Sequence, residues 1–169
     1  MGCARRSLPG RLAPDCQQTM RIRGYHPEDL DTLFEIDQAC FPSGVAYSKR
    51  GISHFTSQRG AMTWVAEDGK EIVGFLIAEH DARAIGHIVT IDVVLSWRRK
   101  GVGRALMDEV DRWASAQGLK MLYLETAEDN LTAQRFYEAR DYIKLEKIEG
   151  YYGDGGAAWV MGKRLKPTR

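Results

Sequence analysis

Cysteine is scarce in this chain. Cys3, Cys16 and Cys40 are odd in number and show no metal-ligand spacing, so they read as reduced thiols of a cytoplasmic protein, not as a disulfide framework or a metal site. Four scattered histidines add no metal motif. No run of 18 or more apolar residues is present to cross a membrane as a helix. An excess of one charge is missing too: 24 Lys and Arg stand against 23 Asp and Glu, a formal +1, which removes nucleic acid as a bulk electrostatic partner. There are no internal repeats and no inter-domain linker. What remains is 169 residues with 44% hydrophobic content, enough for one domain with a full-sized core.

The first nineteen residues differ from the rest. Met1 to Thr19 holds Arg5, Arg6, Arg11, two prolines and one acid, with no amphipathic period and no apolar signal-peptide core. They read as a poorly packed extension, 1–19, ahead of a domain at 20–169. From Met20 a short strand leads to His26-Pro27-Glu28-Asp29, a helix opening with proline and two acids in its first turn. Leu30, Leu33, Phe34, Asp37 and Phe41 follow at helical spacing, and Pro42-Ser43-Gly44 breaks that helix. A second short helix covers residues 48–58. Strands at 61–67 and 71–79 meet at Asp68-Gly69, and a third at 86–94 completes an antiparallel meander.

The most informative stretch is Ile91 to Leu106. An apolar β run passes through Arg98-Arg99-Lys100-Gly101-Val102-Gly103-Arg104 into a helix whose buried face is Val102, Leu106, Val110 and Trp113, with Gly118 at its end. A helix N-terminus presents unpaired N–H groups and the positive end of the macrodipole, so it suits an anion. Two glycines let a ligand approach the backbone, and the basic triplet adds charge at the mouth. The pattern is a phosphate or pyrophosphate cradle. No Gly-Lys-Ser/Thr follows, which argues against a P-loop. A dinucleotide site is the stronger competitor, since Glu125 lies 22 residues after Gly103, near the spacing of a ribose-binding acid. Against it, Leu106 occupies the third glycine position and a six-residue loop replaces the tight turn. After the helix come a strand at 120–125, a short helix at 130–139, and strands at 142–150 and 157–165 around Gly153-Asp154-Gly155-Gly156. The strand–helix–strand unit implies a right-handed crossover and one parallel pair. Glu125 is placed at the end of its strand, beyond which ligands gather in α/β sheets. Strand alternation places His87, Val89, Ile91 and Val93 on one face.

Arg98-x-x-Gly101-x-Gly103 resembles the acetyl-coenzyme A pyrophosphate motif of the GNAT N-acetyltransferase superfamily, and the similarity of order runs from about Met20 to Leu165. Within it the chain looks most like the ribosomal-protein-alanine type of N-terminal (α-amine) acetyltransferases and their archaeal relatives. The resemblance implies an α/β single domain with a mixed, mostly antiparallel sheet of six to seven strands, a splayed parallel central pair and helices on both faces. It implies acetyl-coenzyme A as the acetyl donor, no metal, and direct attack by the free N-terminal amine of a protein or peptide. It assigns Glu125 as general base, Tyr137 as proton donor to the departing sulfur and His87 as an assistant in proton removal. It assigns the strand edge at Ile91, Val93 and Val94, the cradle Arg98, Arg99, Lys100, Gly101, Val102, Gly103 and Arg104, and Asn130 and Tyr137 to the cofactor. Phe41, Pro42, Tyr151 and Tyr152 fall to the peptide.

Three departures modify these expectations. Phe41-Pro42-Ser43-Gly44 carries no glutamate where some relatives have one, and Gly156-Ala157 replaces an acidic pair. Arg140-Asp141-Tyr142 stands in place of x-Gly-Phe, which predicts a differently shaped turn after Tyr137. Three functions compete with the leading one: acetylation of lysine or small amines, a non-catalytic acetyl-coenzyme A module, and nicotinamide-dinucleotide binding. The expected assembly is a monomer or weak dimer without membrane or nucleic-acid partners.

Overall fold

The computed structural model describes residues 20–166, so the extension expected at 1–19 lies outside the described residues. Seven strands form one sheet: β1 (Arg21–Gly24), β2 (Met62–Asp68), β3 (Glu71–His80), β4 (Ile85–Val93), β5 (Met121–Ala127), β6 (Ile143–Ile148) and β7 (Ala158–Arg164). Their order is β1-β2-β3-β4-β5-β7-β6, and only β4 and β5 run parallel. Among the described residues four α-helices flank the sheet: α1 (Leu30–Cys40), α2 (Lys49–Ser57), α3 (Val102–Ala116) and α4 (Leu131–Glu138). Pro27–Asp29 is a separate 3-10 turn ahead of α1.

Two apolar layers, one on each face of the sheet, account for the elements. On one face Leu33 and Ile36 of α1 and Ile52 of α2 pack with Val65, Phe75 and Ile77. On the other, Val102, Leu106, Met107, Val110 and Trp113 of α3 and Tyr137 of α4 pack with Leu76, Leu122, Leu124 and Met161. Alternation along β3 therefore sends Phe75 and Ile77 one way and Leu76 and Ala78 the other. The apolar β7 takes the inner position beside β5, and β6, with its run Ile-Lys-Leu-Glu-Lys-Ile, is left at the edge where charge protects an open strand.

Three local features correct the sequence reading. First, β5 does not end at Glu125; Thr126 and Ala127 continue it by pairing with Trp159 and Ala158. Second, His87, Val89, Ile91 and Val93 do not share a face. Ile88 pairs with Ala78 and Thr90 with Ile77, so Val89 is an extra residue in β4. Val89 packs in the α1–α2 layer, whereas Ile91 and Val93 pack in the α3–α4 layer. One inserted residue thus flips the rest of the strand. Third, Asp141 takes φ +68°, the left-handed conformation a glycine would adopt, so the turn after Tyr137 keeps the glycine-type shape.

Candidate active site

β4 and β5 pair only from Ile85–His87 to Met121–Tyr123. Beyond that point β4 continues to Val93 and β5 to Ala127 without pairing to each other, which is the splay expected of a parallel central pair. Glu125 and His87 lie at the start of this gap. The buried residues of β5 are Leu122, Leu124 and Thr126, so Tyr123 and Glu125 point to the opposite, open face. There His87 Nε2 and Glu125 Oε2 are 2.7 Å apart. The Tyr123 ring stacks on the imidazole at 4.5 Å between centroids, and Glu79 Oε1 is 3.7 Å from His87 Nδ1. Imidazole and carboxylate are four-fifths or more buried, so their bond is shielded from bulk water. His87 also lines a cleft of about 530 Å³ on this face with Met121, Tyr123, Val160 and Leu145, a volume within the range of ligand sites.

Two loops frame the site. The α1–α2 loop carries Phe41 and Pro42, and its backbone turns through Val45 and Ala46 N–H groups donating to the Pro42 carbonyl. The β6–β7 loop carries Tyr151 and Tyr152, whose rings meet edge to face at 5.0 Å. The loops touch at glycines: a Cβ added to Gly153 would stand 3.1 Å from the Gly44 carbonyl oxygen. Tyr47, at the end of the first loop, is a site residue that sequence reasoning missed. Its hydroxyl is 3.5 Å from the Val89 carbonyl, and Phe55 meets its ring edge-on at 5.2 Å. Burial pushes the Tyr47 phenol up to about 12, and the Glu125 charge is the next contribution. Burial and then Glu125 act in the same order on Tyr152, also up to about 12, and on Tyr123 and Tyr151, both raised. The Glu125 charge thus acts on four phenols. The available signal for Tyr47 was its place six residues after Phe41, just before the Ser48 that caps α2.

On the other side, α3 begins at Val102, so the N–H groups of its first turn have no acceptor within the helix. Gly101 has φ +88° with open space where a Cβ would lie, and Arg99 also takes a left-handed φ, +63°. The loop is therefore wound tightly with its backbone exposed, which fits a pyrophosphate. Arg98, Arg99, Lys100 and Arg104 are exposed around it. Gly103 also has a packing role: a Cβ there would sit 3.4 Å from the Phe136 ring, so its smallness admits α4. Asn130 caps α4, its side-chain oxygen accepting from the Ala133 N–H at 3.1 Å. Tyr137 is buried against Phe136 and Tyr142, and burial holds its hydroxyl well above the ordinary phenol range. The Val94 N–H donates to the Val73 carbonyl at 3.0 Å, so it is engaged with β3. Alternation turns the Ile91 and Val93 backbone the other way, toward the gap. Among the described residues no three His, Cys, Asp or Glu side chains gather as metal ligands. None of the described helices is long and apolar enough to cross a membrane.

A family model described as acetyltransferase (GNAT) family matches residues 30–142. The chain belongs to this family. It is similar to an uncharacterized N-acetyltransferase of Methanocaldococcus jannaschii, at 30% identity over 88% of this chain and 94% of the relative. It also resembles an N-alpha-acetyltransferase of Saccharolobus solfataricus, at 24% identity over 85% of this chain and 92% of that one. The crystal structure of Ard1 from Thermoplasma volcanium superposes with a TM-score of 0.80 and 26% identity, covering 87% of this chain and 98% of that one. Family membership makes the protein an acyltransferase with acetyl-coenzyme A as cosubstrate.

Proposed function

We propose that this GNAT protein acetylates the free α-amine of a protein or peptide N-terminus. The observation that carries the proposal is the His87–Glu125 pair, 2.7 Å apart, at the bottom of a mouth framed by Tyr47, Tyr151 and Tyr152. A main chain brings N–H and C=O groups near its amine that phenol hydroxyls recognise, and a lysine side chain brings none. Similarity to the N-alpha-acetyltransferase of Saccharolobus solfataricus supports the same reading.

Acetyl-coenzyme A supplies the acetyl group as a thioester. The residues of this chain do the rest. Arg98 to Arg104 and the α3 N-terminus hold the pyrophosphate. The β4 edge at Ile91 and the Val93 N–H align the pantetheine arm as an added strand would be aligned, while the Val93 carbonyl accepts from Arg98 Nε at 3.0 Å. Asn130 stands at the mouth of the arm's path, at the start of α4. Glu125 takes a proton from the incoming ammonium, so the neutral amine attacks the thioester carbonyl. That proton leaves through His87 to solvent, and Glu125 takes the second N–H proton as the tetrahedral adduct collapses. An N-terminal amine has a pKa of about 8, so about a tenth of it is already unprotonated at pH 7 and the demand on the base is modest. The Val93 N–H faces the developing oxyanion. Tyr137, kept protonated by burial, gives its proton to the sulfur as the carbon–sulfur bond breaks, and regains one from solvent when the products leave. The amine attacks directly.

The test uses labelled acetyl-coenzyme A with two peptide sets. One has free N-termini of varied first residue, and the other has a blocked α-amine and a free lysine. Label is expected on the free α-amine. Equal labelling of the blocked set would assign the site to lysine side chains instead.

A further inference from the structure

The mouth just described depends on where the α1–α2 loop stands, and a buried carboxylate at its root has no part in the chemistry above. Asp37 is on α1 and fully buried. Its Oδ2 accepts the Tyr47 N–H at 2.8 Å and the Gln38 side-chain amide at 3.2 Å. The same Gln38 nitrogen donates to the Tyr47 carbonyl at 2.9 Å. Both peptide groups flanking the Tyr47 Cα are therefore tied to consecutive residues of one helix. At the other end, the loop tip rests on the β6–β7 loop through Gly44 and Gly153.

A carboxylate is an expensive choice for this position. Asp37 Oδ1 has no hydrogen-bond partner, and burial raises the carboxyl to about 6. The charged and polar groups facing it come from three elements. Gln38 is on its own helix and the Tyr47 N–H on the loop. On β4 stands Asp92, also buried, with its own Oδ1 unpartnered and Thr90 donating to its Oδ2 at 3.3 Å. Burial first and then the Asp37 charge raise the Asp92 carboxyl, and Arg98 acts on Asp92 in the opposite sense. An apolar side chain would fill the space without that desolvation cost. What it could not do is accept the Tyr47 N–H, which would then be buried and unpaired.

We infer that Asp37, assisted by Gln38, is the positioning residue of the acceptor mouth, fixing the Tyr47 backbone so that its ring stands opposite Tyr151 and Tyr152 beside Glu125. This rests on the acceptor reading above. Asp37 touches no reacting atom; it acts through Tyr47.

The test uses the full chain and compares Asp37→Ala, Asp37→Asn and Gln38→Ala with the wild type. Steady-state rates are measured with peptide and acetyl-coenzyme A varied separately, and amide hydrogen exchange is followed over residues 41–48. Asp37→Ala is expected to raise the peptide KM by roughly tenfold or more, with the acetyl-coenzyme A KM within about twofold, and to speed Tyr47 exchange. Asp37→Asn keeps an acceptor oxygen for the Tyr47 N–H, so it should restore the peptide KM to within about threefold of wild type. Gln38→Ala, at an exposed residue, should give a smaller rise of about threefold. A rise in both KM values together, a failure of asparagine to rescue, or unchanged Tyr47 exchange would overturn the assignment. If Asp37→Ala does not fold, the asparagine and Gln38 variants still decide it. If the wild type acetylates no peptide N-terminus, the acceptor reading fails. The rates are then taken with the amine that is acetylated, and the exchange over 41–48 still judges the clamp.

Discussion

Glu125→Gln isolates the charge of the proposed base. A glutamine has the same shape, and its amide oxygen still accepts from His87 Nε2, so the 2.7 Å contact survives while the carboxylate disappears. General bases typically contribute about 100- to 10,000-fold to rate, and the loss at pH 7 should fall in that range. The pH dependence makes the test quantitative. With an amine pKa of about 8, roughly a tenth of the substrate is unprotonated at pH 7 and nearly all of it at pH 9. Raising the pH can therefore return no more than about tenfold to the variant. At pH 9 it should remain at least about tenfold below wild type, because proton removal during attack is still uncatalysed. Initial rates of thiol release with a saturating free-N-terminus peptide, from pH 6.5 to 9, provide the assay. An independent readout comes from the phenols. The Glu125 charge raises Tyr47, Tyr123, Tyr151 and Tyr152, so its removal should move their ultraviolet titration to lower pH. A variant that matches wild type across this pH range, while its phenols do shift, would show that Glu125 stands in the site without acting as base.

Other perturbations test the frame around the site. Acetyl-coenzyme A at 100 times its Kd should stabilise the protein by about 2.7 kcal/mol, and Gly103→Asp should abolish the accompanying rise in Tm by placing bulk near Phe136 and negative charge at the anion cradle. A full shift in that variant would move the cofactor site elsewhere. Gly74→Ala should lower stability by about 1–3 kcal/mol in a denaturant titration, because its Cβ would lie 2.7 Å from the Asp92 carbonyl oxygen; no loss would mean β3 and β4 can part freely. Asp37 should leave a signature in stability against pH. Its carboxyl is raised from 3.8 to about 6 on folding, so the folded state binds the proton more tightly; stability is highest below pH 3.8, falls as pH rises toward 6 and is level above it. At about 1.4 kcal/mol per pH unit, the wild type should lose up to about 3 kcal/mol more than Asp37→Asn across that window, and parallel curves would remove the effect.

What the sequence made legible was whatever is written in local pattern. The α3 stripe Val102, Leu106, Val110 and Trp113 is buried, and Gly118 ends that helix region with φ +66°. The basic triplet and glycines lie at the helix start, and Gly69 turns the β2–β3 hairpin with φ +63°. Glu125 and His87, 38 residues apart, were each nominated by resemblance, but their contact is a property of β4–β5 pairing that no local pattern encodes. Less legible were features set by partners. The extra residue at Val89 has no composition signal, because Val is equally at home in a regular strand. The end of β5 depends on β7, which supplies Trp159 and Ala158 as partners for Thr126 and Ala127. The Tyr47 clamp joins residues ten apart through a loop whose path only the folded core determines.

In the proposed reaction, the bulge in β4 lets one sheet serve both substrates. Before Val89 the strand directs His87 to the open face, where Glu125 and the tyrosines stand. After it, Ile91 and Val93 face the α3–α4 layer, the side that holds Tyr137 and the phosphate cradle. A regular strand would put His87 and Ile91 on the same side and bring the base and the donor-side wall into one layer. The proposed base and the proposed acid therefore act from opposite faces, and the unpaired gap between β4 and β5 is the passage between them. In the proposed reaction, an amine entering from the open face would reach a thioester lying in the gap without crossing the donor's path. Its proton leaves on one side of the sheet while the sulfur is protonated on the other. That separation favours direct attack, because neither proton transfer requires a side chain to change faces during the reaction.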